Sequence, residues 1–501
     1  MALKKSILSG VLCLITIISA QSQSGISLYH MQGATFQGSH FNPSFIPDGK
    51  VFIGLPGISG IAFNYNNRWH YDHAITVNEM GQNELNPESI VSAARKRNMI
   101  NFEADISTFY LGFRGKHAGV TFFVNERIGF TTFLPGELLE LVWRGNEAVL
   151  GNQVDIGGIR ADTKYYREMG IGFWRNLPNK KASVGIRFKY INGLFSGATD
   201  KGFEAKVLTQ EDNFQLAFNT SNAVVNTSGM TLIEDGVSED IQSHILSMSQ
   251  NKGFGLDIGA NWEVNEYLKA AIAINDLGFI NWTVDPRNFS VQDTSFSYGG
   301  LELTDVDDLE KSLEDSLTER FNSEETTNSY KTSLNTRTYA SLIFQPTERD
   351  KFISTIANHG VAGKLRMLYG LGYTRKVGRN FNFSVNVLKR SQQGVNLGIG
   401  AAVNLGAIQI YTASDHLLGV TDVTTLSSLD FRFGMNLIFG REKIEKDKRG
   451  GGKVSKEDRS DLQHNYNKGK NEKGPKRDGI YYIIKRRKPR PIYEKKKFRE
   501  V

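Results

Sequence analysis

Apolar and polar residues alternate with a period of two along much of this chain. In the clearest segment Phe254, Leu256 and Ile258 lie on one face, while Asp257 and glycines occupy the other. The same alternation runs through residues 102–107, 184–190, 381–387 and 395–403. Successive side chains of a strand point to opposite faces, so this period predicts β-strands. One face is aromatic and aliphatic, as a lipid-facing wall is, and the other is small and charged, as a barrel lumen is.

Strand length and number separate a membrane barrel from a soluble β-sandwich or jelly roll, whose strands alternate as well. Several segments reach about nine residues, the length that crosses a bilayer at a tilt. The alternation continues to about residue 440, which is long for one sandwich. Beyond residue 22 there is no apolar run of about 18 residues, which excludes a helical membrane protein. We therefore expect an all-β fold, a transmembrane antiparallel β-barrel over residues 49–440, with a soluble exported β protein as the alternative.

The last predicted strand, residues 431–439, has a special form. Arg432, Gly434, Leu437 and Phe439 fit a polar-x-Gly-x-x-apolar-x-aromatic pattern. This pattern resembles the β-signal of outer-membrane proteins, which the barrel-assembly machinery reads. Its place at the end of the final strand predicts that this machinery and outer-membrane lipid are partners of the chain.

The first residues predict a secretion signal over residues 1–22. Lys4 and Lys5 form a basic start, residues 7–20 are apolar but too short to span a bilayer, and small residues follow. The single cysteine, Cys13, lies inside this signal, so we expect a mature chain without thiol or disulfide. An exported chain that forms a barrel is expected in the cell outer membrane.

Insertions outside the strands are predicted to be helical. Asn86 begins a short helix through about Lys96, since the proline that follows favours the first helical position. A second short helix is predicted over residues 135–143. Residues 303–321 are acidic with leucines at helical spacing, which predicts a third, amphipathic helix. These pieces are either lids or plain loop decoration.

Basic charge is concentrated at the C-terminus. Residues 441–501 hold 22 Lys and Arg against 10 Asp and Glu, whereas residues 23–440 hold 36 against 43. We expect a largely disordered basic tail, which is periplasmic because both ends of an even-stranded barrel face that side. A short apolar run followed by cations is a candidate docking peptide for a periplasmic or outer-membrane protein. Its residues are Tyr481, Tyr482, Ile483, Ile484, Lys485, Arg486 and Arg487. No nucleic-acid partner is expected of an exported chain.

No residue pattern indicates an enzyme, a cofactor or a metal site. The chain has no Gly-x-Ser-x-Gly sequence and no cysteine beyond the signal, so nucleophilic catalysis lacks a motif. His70 and His73 are close in sequence, but on a strand they would point to opposite faces. His30 and His40 lack a partner at ligand spacing. We therefore predict neither catalysis nor a bound cofactor or metal.

Charged residues also fall within the predicted strands or at their ends. They are Arg187, Lys189, Asp257, Asp276 and Arg337. If they face the lumen, they are expected to pair, because an unpaired buried charge is costly. Such pairs are either structural or a gate that a substrate displaces.

Short segments occur in a defined order along residues 26–440. They are residues 31–32, 41–45, 52–56, 138–141, 145–146, 165–168, 184–190, 254–259, 276–282 and 412–419. In this order they resemble a family of uncharacterised Bacteroidetes barrels, the DUF5723 group, which is related to the FadL-like (OMPP1/FadL/TodX) transporters.

The resemblance implies a barrel of about 14 strands with an N-terminal plug, residues 23–48, folded inside. In FadL-like proteins an Asn-Pro-Ala element belongs to that plug, and Asn42-Pro43-Ser44 stands at the matching place. Asn42, Pro43, Arg187, Lys189 and Asp257 are therefore the plug and gate candidates.

The resemblance also implies passage of small hydrophobic molecules, through an apolar pocket between residues 30–45 and the barrel wall. The alternative is a non-transporting structural or accessory subunit of an outer-membrane complex, in secretion, gliding or barrel assembly. Such a subunit would dock through the basic tail.

Overall fold

A computed structural model describes residues 25–67, 75–77, 80–178, 181–199, 204–212, 214–221, 223–230, 251–291, 294–298, 324–361, 364–378, 380–390, 395–417 and 428–441. Several predicted features lie outside these residues. They are the signal peptide, His70 and His73, the helix over residues 303–321, and the tail with its docking residues.

Fourteen antiparallel strands close into one barrel. In chain order they are β1 (Val51–Gly54 and Ile61–Asn66), β2 (Arg97–Arg114), β3 (Ala118–Pro135), β4 (Arg160–Asn176), β5 (Ala182–Thr199), β6 (Asn251–Glu263), β7 (Leu268–Trp282), β8 (Tyr330–Ser333 and Arg337–Phe344), β9 (Asp350–Val361), β10 (Lys364–Val377), β11 (Phe381–Arg390), β12 (Val395–Leu405), β13 (Ile408–Ser414) and β14 (Ser428–Phe439). The ring closes because Val51 of β1 lies opposite both Phe439 of β14 and Phe113 of β2. The predicted all-β barrel of about 14 strands is confirmed.

The outer surface of the barrel is apolar and its interior is polar. On neighbouring strands, Phe254 is 60% and Phe188 52% exposed, whereas Asp257 is 0% and Lys189 3% exposed. A soluble protein shows the opposite distribution. A closed sheet with an apolar outer face satisfies both its backbone and its side chains in lipid, so this barrel spans a membrane. The faces predicted from the alternation are confirmed. Within the described ranges no helix is long and apolar enough to cross a membrane.

Residues 25–48 pass through the interior of the barrel, and we call them the plug segment. They contain helix α1 (Ile26–His30) and a 3-10 helix (Phe36–His40). Their contacts reach opposite sides of the ring. The Asn42 side chain donates to the Ile272 carbonyl of β7 (3.2 Å), and the Gln409 side chain of β13 donates to the Ala34 carbonyl (2.7 Å).

The two ends of the barrel differ. Turns are short at the end that carries Val51 and Phe439, and most connections at the other end are long. This is the usual division between periplasmic turns and extracellular loops. The end with the long connections carries a four-stranded sheet and further short strands. These are Gln153–Asp155, Glu204–Thr209, Leu216–Ser221 and Thr294–Tyr298 in the sheet, and Ile75–Val77, Asn83–Leu85, Ala223–Ser228, Pro286–Val291 and Glu324–Thr326 outside it.

Two of the predicted helices are present in these connections. Helix α2 (Pro87–Ala93) is capped by the Asn86 side chain, which accepts from the Ser89 backbone N–H at 3.0 Å. It ends before the predicted Lys96, because β2 begins at Arg97. Helix α3 (Gly136–Arg144) lies one residue from its predicted place, and a 3-10 helix (Glu147–Val149) follows it.

Candidate functional site

The plug segment begins at a helix that the wall caps. The Asp415 carboxylate accepts the Ile26 N–H (2.8 Å) and the Ser27 N–H (2.7 Å). Both are free donors of the first turn of α1, where a carboxylate also meets the positive end of the helix dipole. The Asp415 N–H in turn donates to Asp430 (3.0 Å). No sequence pattern marks Asp415 as a site residue, although it lies within the 412–419 segment.

One side of the lumen forms an apolar seat for the plug segment, which we call the apolar sector. It comprises the buried residues Tyr339, Ile343, Ile353, Ala357, Leu368, Leu388, Ala402, Tyr411 and Ala413 of β8–β13. The Tyr29 ring stacks on Tyr339 at a centroid distance of 5.2 Å, and the Tyr29 hydroxyl lies 2.7 Å from the Ser341 hydroxyl. His30 bridges Asn386 (2.5 Å) and Thr355 (2.8 Å) through its two ring nitrogens. The plug thus binds this sector without any ion pair among the residues named.

The predicted Asn-Pro-Ser element turns back on itself near the opposite wall. The Asn42 side-chain oxygen accepts the Ser44 N–H (2.9 Å) and the Ser44 hydroxyl (2.7 Å). The Asn261 side chain of β6 donates to the Ser44 carbonyl (3.0 Å). A Cβ at Gly185 would overlap the Pro43 carbonyl, and one at Gly259 would overlap the Asn42 amide oxygen. At these two glycines the backbones of β5 and β6 therefore contact the turn directly, because no side chain lies between them.

The charged candidates lie beside this turn and pair with one another. Arg187 reaches Asp257 at 2.7 Å, and Lys189 lies 3.1 Å from Asp257 and 2.5 Å from Asp276. Arg187 also donates to the His40 carbonyl of the plug segment (2.7 Å). The expected lumen pairing of these residues is present, and Arg337 lies 3.7 Å from Asp276.

Three further members of this network were not singled out from the sequence. Glu168 lies 3.3 Å from Lys189 and 3.0 Å from Arg127, and Arg127 lies 2.5 Å from Asp105. Asp105 occurs in the alternating segment 102–107, and only the register of β2–β5 brings it together with Arg127, Glu168 and Lys189. We call the whole set the charged sector. It comprises Asp105, Arg127, Glu168, Arg187, Lys189, Asp257 and Asp276 of β2–β7. Pairing offsets the cost of removing these charges from water.

An inner cavity of about 50 Å³ separates the plug segment from part of the charged sector. Leu28 and Phe41 of the plug segment line one side of it. The wall side combines apolar and charged residues. They include Ile61, Ala62, Ile106, Asp105, Arg127, Asp276, Arg337, Tyr339 and Arg432. The lining is therefore neither an apolar slot nor a purely polar channel.

Two other cavities continue along the same side of the lumen. An outer cavity of about 30 Å³, lined by Glu103, Lys164 and others, shares Asp105, Arg127 and Arg337 with the inner one. A third cavity of about 10 Å³ lies toward the short-turn end. Its lining is mostly apolar and includes Pro43, Phe45, Phe52, Tyr110, Phe173 and Trp174, together with Arg187. This small, mostly apolar cavity lies between the plug segment and the wall.

The predicted assembly signal occupies both faces of β14. Arg432 is buried in the lumen and pairs with Asp430 at 3.3 Å, and Gly434 lies under the Ser59 carbonyl and the Tyr411 ring. Phe439 is 44% exposed on the outer face, which Leu437 shares. Recognition by the assembly machinery stays a prediction.

Metal ligation has no candidate in the part of the chain that the structure describes, where no three His, Cys, Asp or Glu side chains form a group.

Several solved structures match the chain. A Pseudomonas aeruginosa FadL homologue is 9% identical over 84% of this chain and 96% of its own, with a TM-score of 0.39. The CymD monoaromatic hydrocarbon channel is 10% identical over 83% and 97%, with a TM-score of 0.37. The Pseudomonas putida toluene transporter TodX is 7% identical over 83% and 93%, with a TM-score of 0.35. No curated protein matches.

A family model matches residues 43–415, from the Asn-Pro-Ser turn of the plug segment to the aspartate that caps α1. The match spans most of the chain. The protein belongs to the family of unknown function DUF5723.

Proposed function

We propose that this protein is an outer-membrane channel that lets small, partly apolar molecules pass its plug segment along the charged sector of the lumen. The observation that carries the proposal is the inner cavity, which has the plug segment on one side and the ion-paired wall on the other. The plug segment is held at α1 by the apolar sector and at its Asn42 turn by β6 and β7, and the inner cavity lies beside it next to Asp105, Arg127 and Asp276 of the charged sector.

The order of the three cavities supports a route. The outer cavity lies toward the long loops, the inner cavity follows, and the mostly apolar cavity lies toward the short turns. Asp105, Arg127 and Arg337 line both the outer and the inner cavity, so they form the boundary that a solute would cross. Arg187 and Tyr110 line the third cavity beside the plug turn.

Filling the inner cavity tests the route. Ala62→Trp places an indole in the cavity from β1, whereas the neighbouring Phe63 is 41% exposed on the outer face. In proteoliposomes, uptake of radiolabelled phenylalanine, a poorly permeant and partly apolar solute, is expected to exceed that of empty vesicles. Ala62→Trp should reduce it several-fold, and the matched Phe63→Trp should leave it unchanged. Equal uptake by protein-containing and empty vesicles would refute the channel.

A second candidate function rests on the basic tail. Its net charge of +12, from 22 basic and 10 acidic residues over 441–501, is opposite to that of the remaining mature chain. A non-transporting subunit of an envelope complex would use such a tail to dock on an acidic protein face. Deleting residues 441–501 should then release co-purifying partners while the barrel stays inserted. Retention of every partner by the truncated protein would argue against docking through the tail.

A further inference from the structure

The inner cavity is lined by buried polar atoms that have no hydrogen-bond partner among the described residues. They are the Nε atoms of Arg127, Arg337 and Arg432, the Tyr339 hydroxyl, the His40 Nε2 and the Asn275 Oδ1. A buried polar atom without a partner costs free energy, and most such atoms in native structures are satisfied. Six of them around one cavity indicate that something other than the chain satisfies them.

These six atoms are mostly donors. An arginine Nε–H can only donate, and the tyrosine hydroxyl and a histidine nitrogen can donate as well. Only the Asn275 oxygen must accept, since its amide nitrogen already donates to the Phe41 carbonyl at 2.7 Å. The complement of this lining is therefore a group rich in acceptors, such as a carboxylate.

Among the side chains that line the cavity, cations outnumber anions by one. Three guanidinium groups face the cavity against two carboxylates, Asp105 and Asp276. Two other carboxylates stay outside the lining and orient the guanidinium groups from behind. Glu168 lies 3.0 Å from Arg127, and Asp430 lies 3.3 Å from Arg432. The Nε–H groups of Arg127 and Arg432 are left for a further acceptor, whereas the Arg337 Nε lies 3.7 Å from the Asp276 carboxylate.

The remaining lining residues determine the chemistry of the part of the ligand that lies away from its acceptor group. Leu28 and Phe41 of the plug segment and Ala62 of β1 line the cavity as well. These side chains offer apolar surface and no donors. A ligand that satisfies the whole cavity has an acceptor-rich group at one end and a compact apolar body at the other.

We infer that the inner cavity binds a compact carboxylate with an apolar ring or short chain. Its carboxylate lies among Arg127, Arg337, Arg432 and Tyr339, and its body lies against Leu28 and Phe41. This inference deepens the proposed function and rests on it for the route by which the ligand enters.

Binding to the purified full-length protein in detergent tests the inference with three probes of one shape. Benzoate has the carboxylate, benzamide a neutral acceptor and toluene no acceptor. Calorimetry should show benzoate binding roughly tenfold more tightly than benzamide, as for a charged against a neutral hydrogen-bond acceptor. Toluene should bind more weakly still. Equal affinity for all three probes would overturn the inference.

The variant Tyr339→Phe tests whether benzoate binds in the inner cavity. It removes a hydroxyl that lacks a partner among the described residues, so the fold should be unaffected. Benzoate affinity should fall several-fold while toluene affinity is unchanged. The control Tyr369→Phe alters a ring that is 47% exposed on the outer face and should change neither affinity. Unchanged benzoate affinity in Tyr339→Phe would place binding elsewhere.

The channel and the carboxylate site can be refuted independently of each other. Benzoate binding without phenylalanine uptake in proteoliposomes would refute the channel and leave the binding site. Uptake that Ala62→Trp blocks, without preference for benzoate over toluene, would support the channel and refute the carboxylate site.

Discussion

The apolar and charged sectors of the lumen differ in how they contact the plug segment. The apolar sector contacts it directly, through the stacked rings of Tyr29 and Tyr339 and neutral hydrogen bonds to His30. The charged sector mostly pairs within itself, and cavities lie between parts of it and the plug. Neutral groups lose little when they leave water for a packed contact, whereas charges need opposite charges first. The apolar sector therefore holds the plug segment in place, and the charged sector leaves space beside it.

The largest effect is expected from breaking the charged sector at its centre. Asp257→Ala leaves Arg187 and Lys189 buried beside a missing partner. The free energy of unfolding should fall by about 4 kcal/mol, the usual cost of an orphaned buried charge. Urea unfolding followed by heat-modifiable gel migration measures it. The double variant Arg187→Met with Asp257→Leu should recover part of the loss, and no recovery would contradict a cost due to unpaired charge.

A slightly smaller effect is expected in the apolar sector. Leu388 of β11 is fully buried in the cluster that seats the plug segment. Leu388→Ala should cost about 3 kcal/mol through lost apolar contact and the remaining cavity. Hydrogen exchange of residues 26–31 should rise, since this seat holds α1. Leu371→Ala, on the outer face and 63% exposed, is the control and should leave that exchange unchanged.

Capping of α1 should contribute less than either sector. Asp415→Asn keeps the shape but removes the charge that accepts two N–H groups of the first turn. We expect α1 to lose about 1 kcal/mol, as for a weakened helix cap. Faster exchange confined to residues 26–29 would show it, and exchange spread over the barrel strands would contradict a local cap.

The smallest effect is expected from an ion pair outside the lumen. Arg144 of α3 binds Glu88 of α2 at the surface and lowers the pKa of that carboxyl below its ordinary 4.5. The contribution of this pair is complete above that pH and is lost as the pH falls through the lower folded value. Glu88→Gln should leave unfolding at pH 7 almost unchanged. If Glu88→Gln lowered the free energy of unfolding as much as Asp257→Ala does, exposed and buried ion pairs would not differ in their contribution to stability.

Much of the fold follows from local pattern. The alternation at residues 254–262 predicts both a strand and its orientation, because lipid and lumen demand opposite side chains. Arg187, Lys189 and Asp257 are recognisable because charges on such strands must face inward. The part played by Glu168, Arg127 and Asp105 is not recognisable, since each pairs with residues of other strands. Their partners depend on strand register, which a single sequence does not specify.

By itself, the sequence determined the strand period, the apolar outer face and the polar interior, because each depends only on neighbouring residues and the solvent they meet. Only the tertiary structure decided which charges pair, where Asp415 caps the plug segment, and where space is left beside it. Those features depend on distances between residues far apart in the chain, and closure of the ring sets these distances.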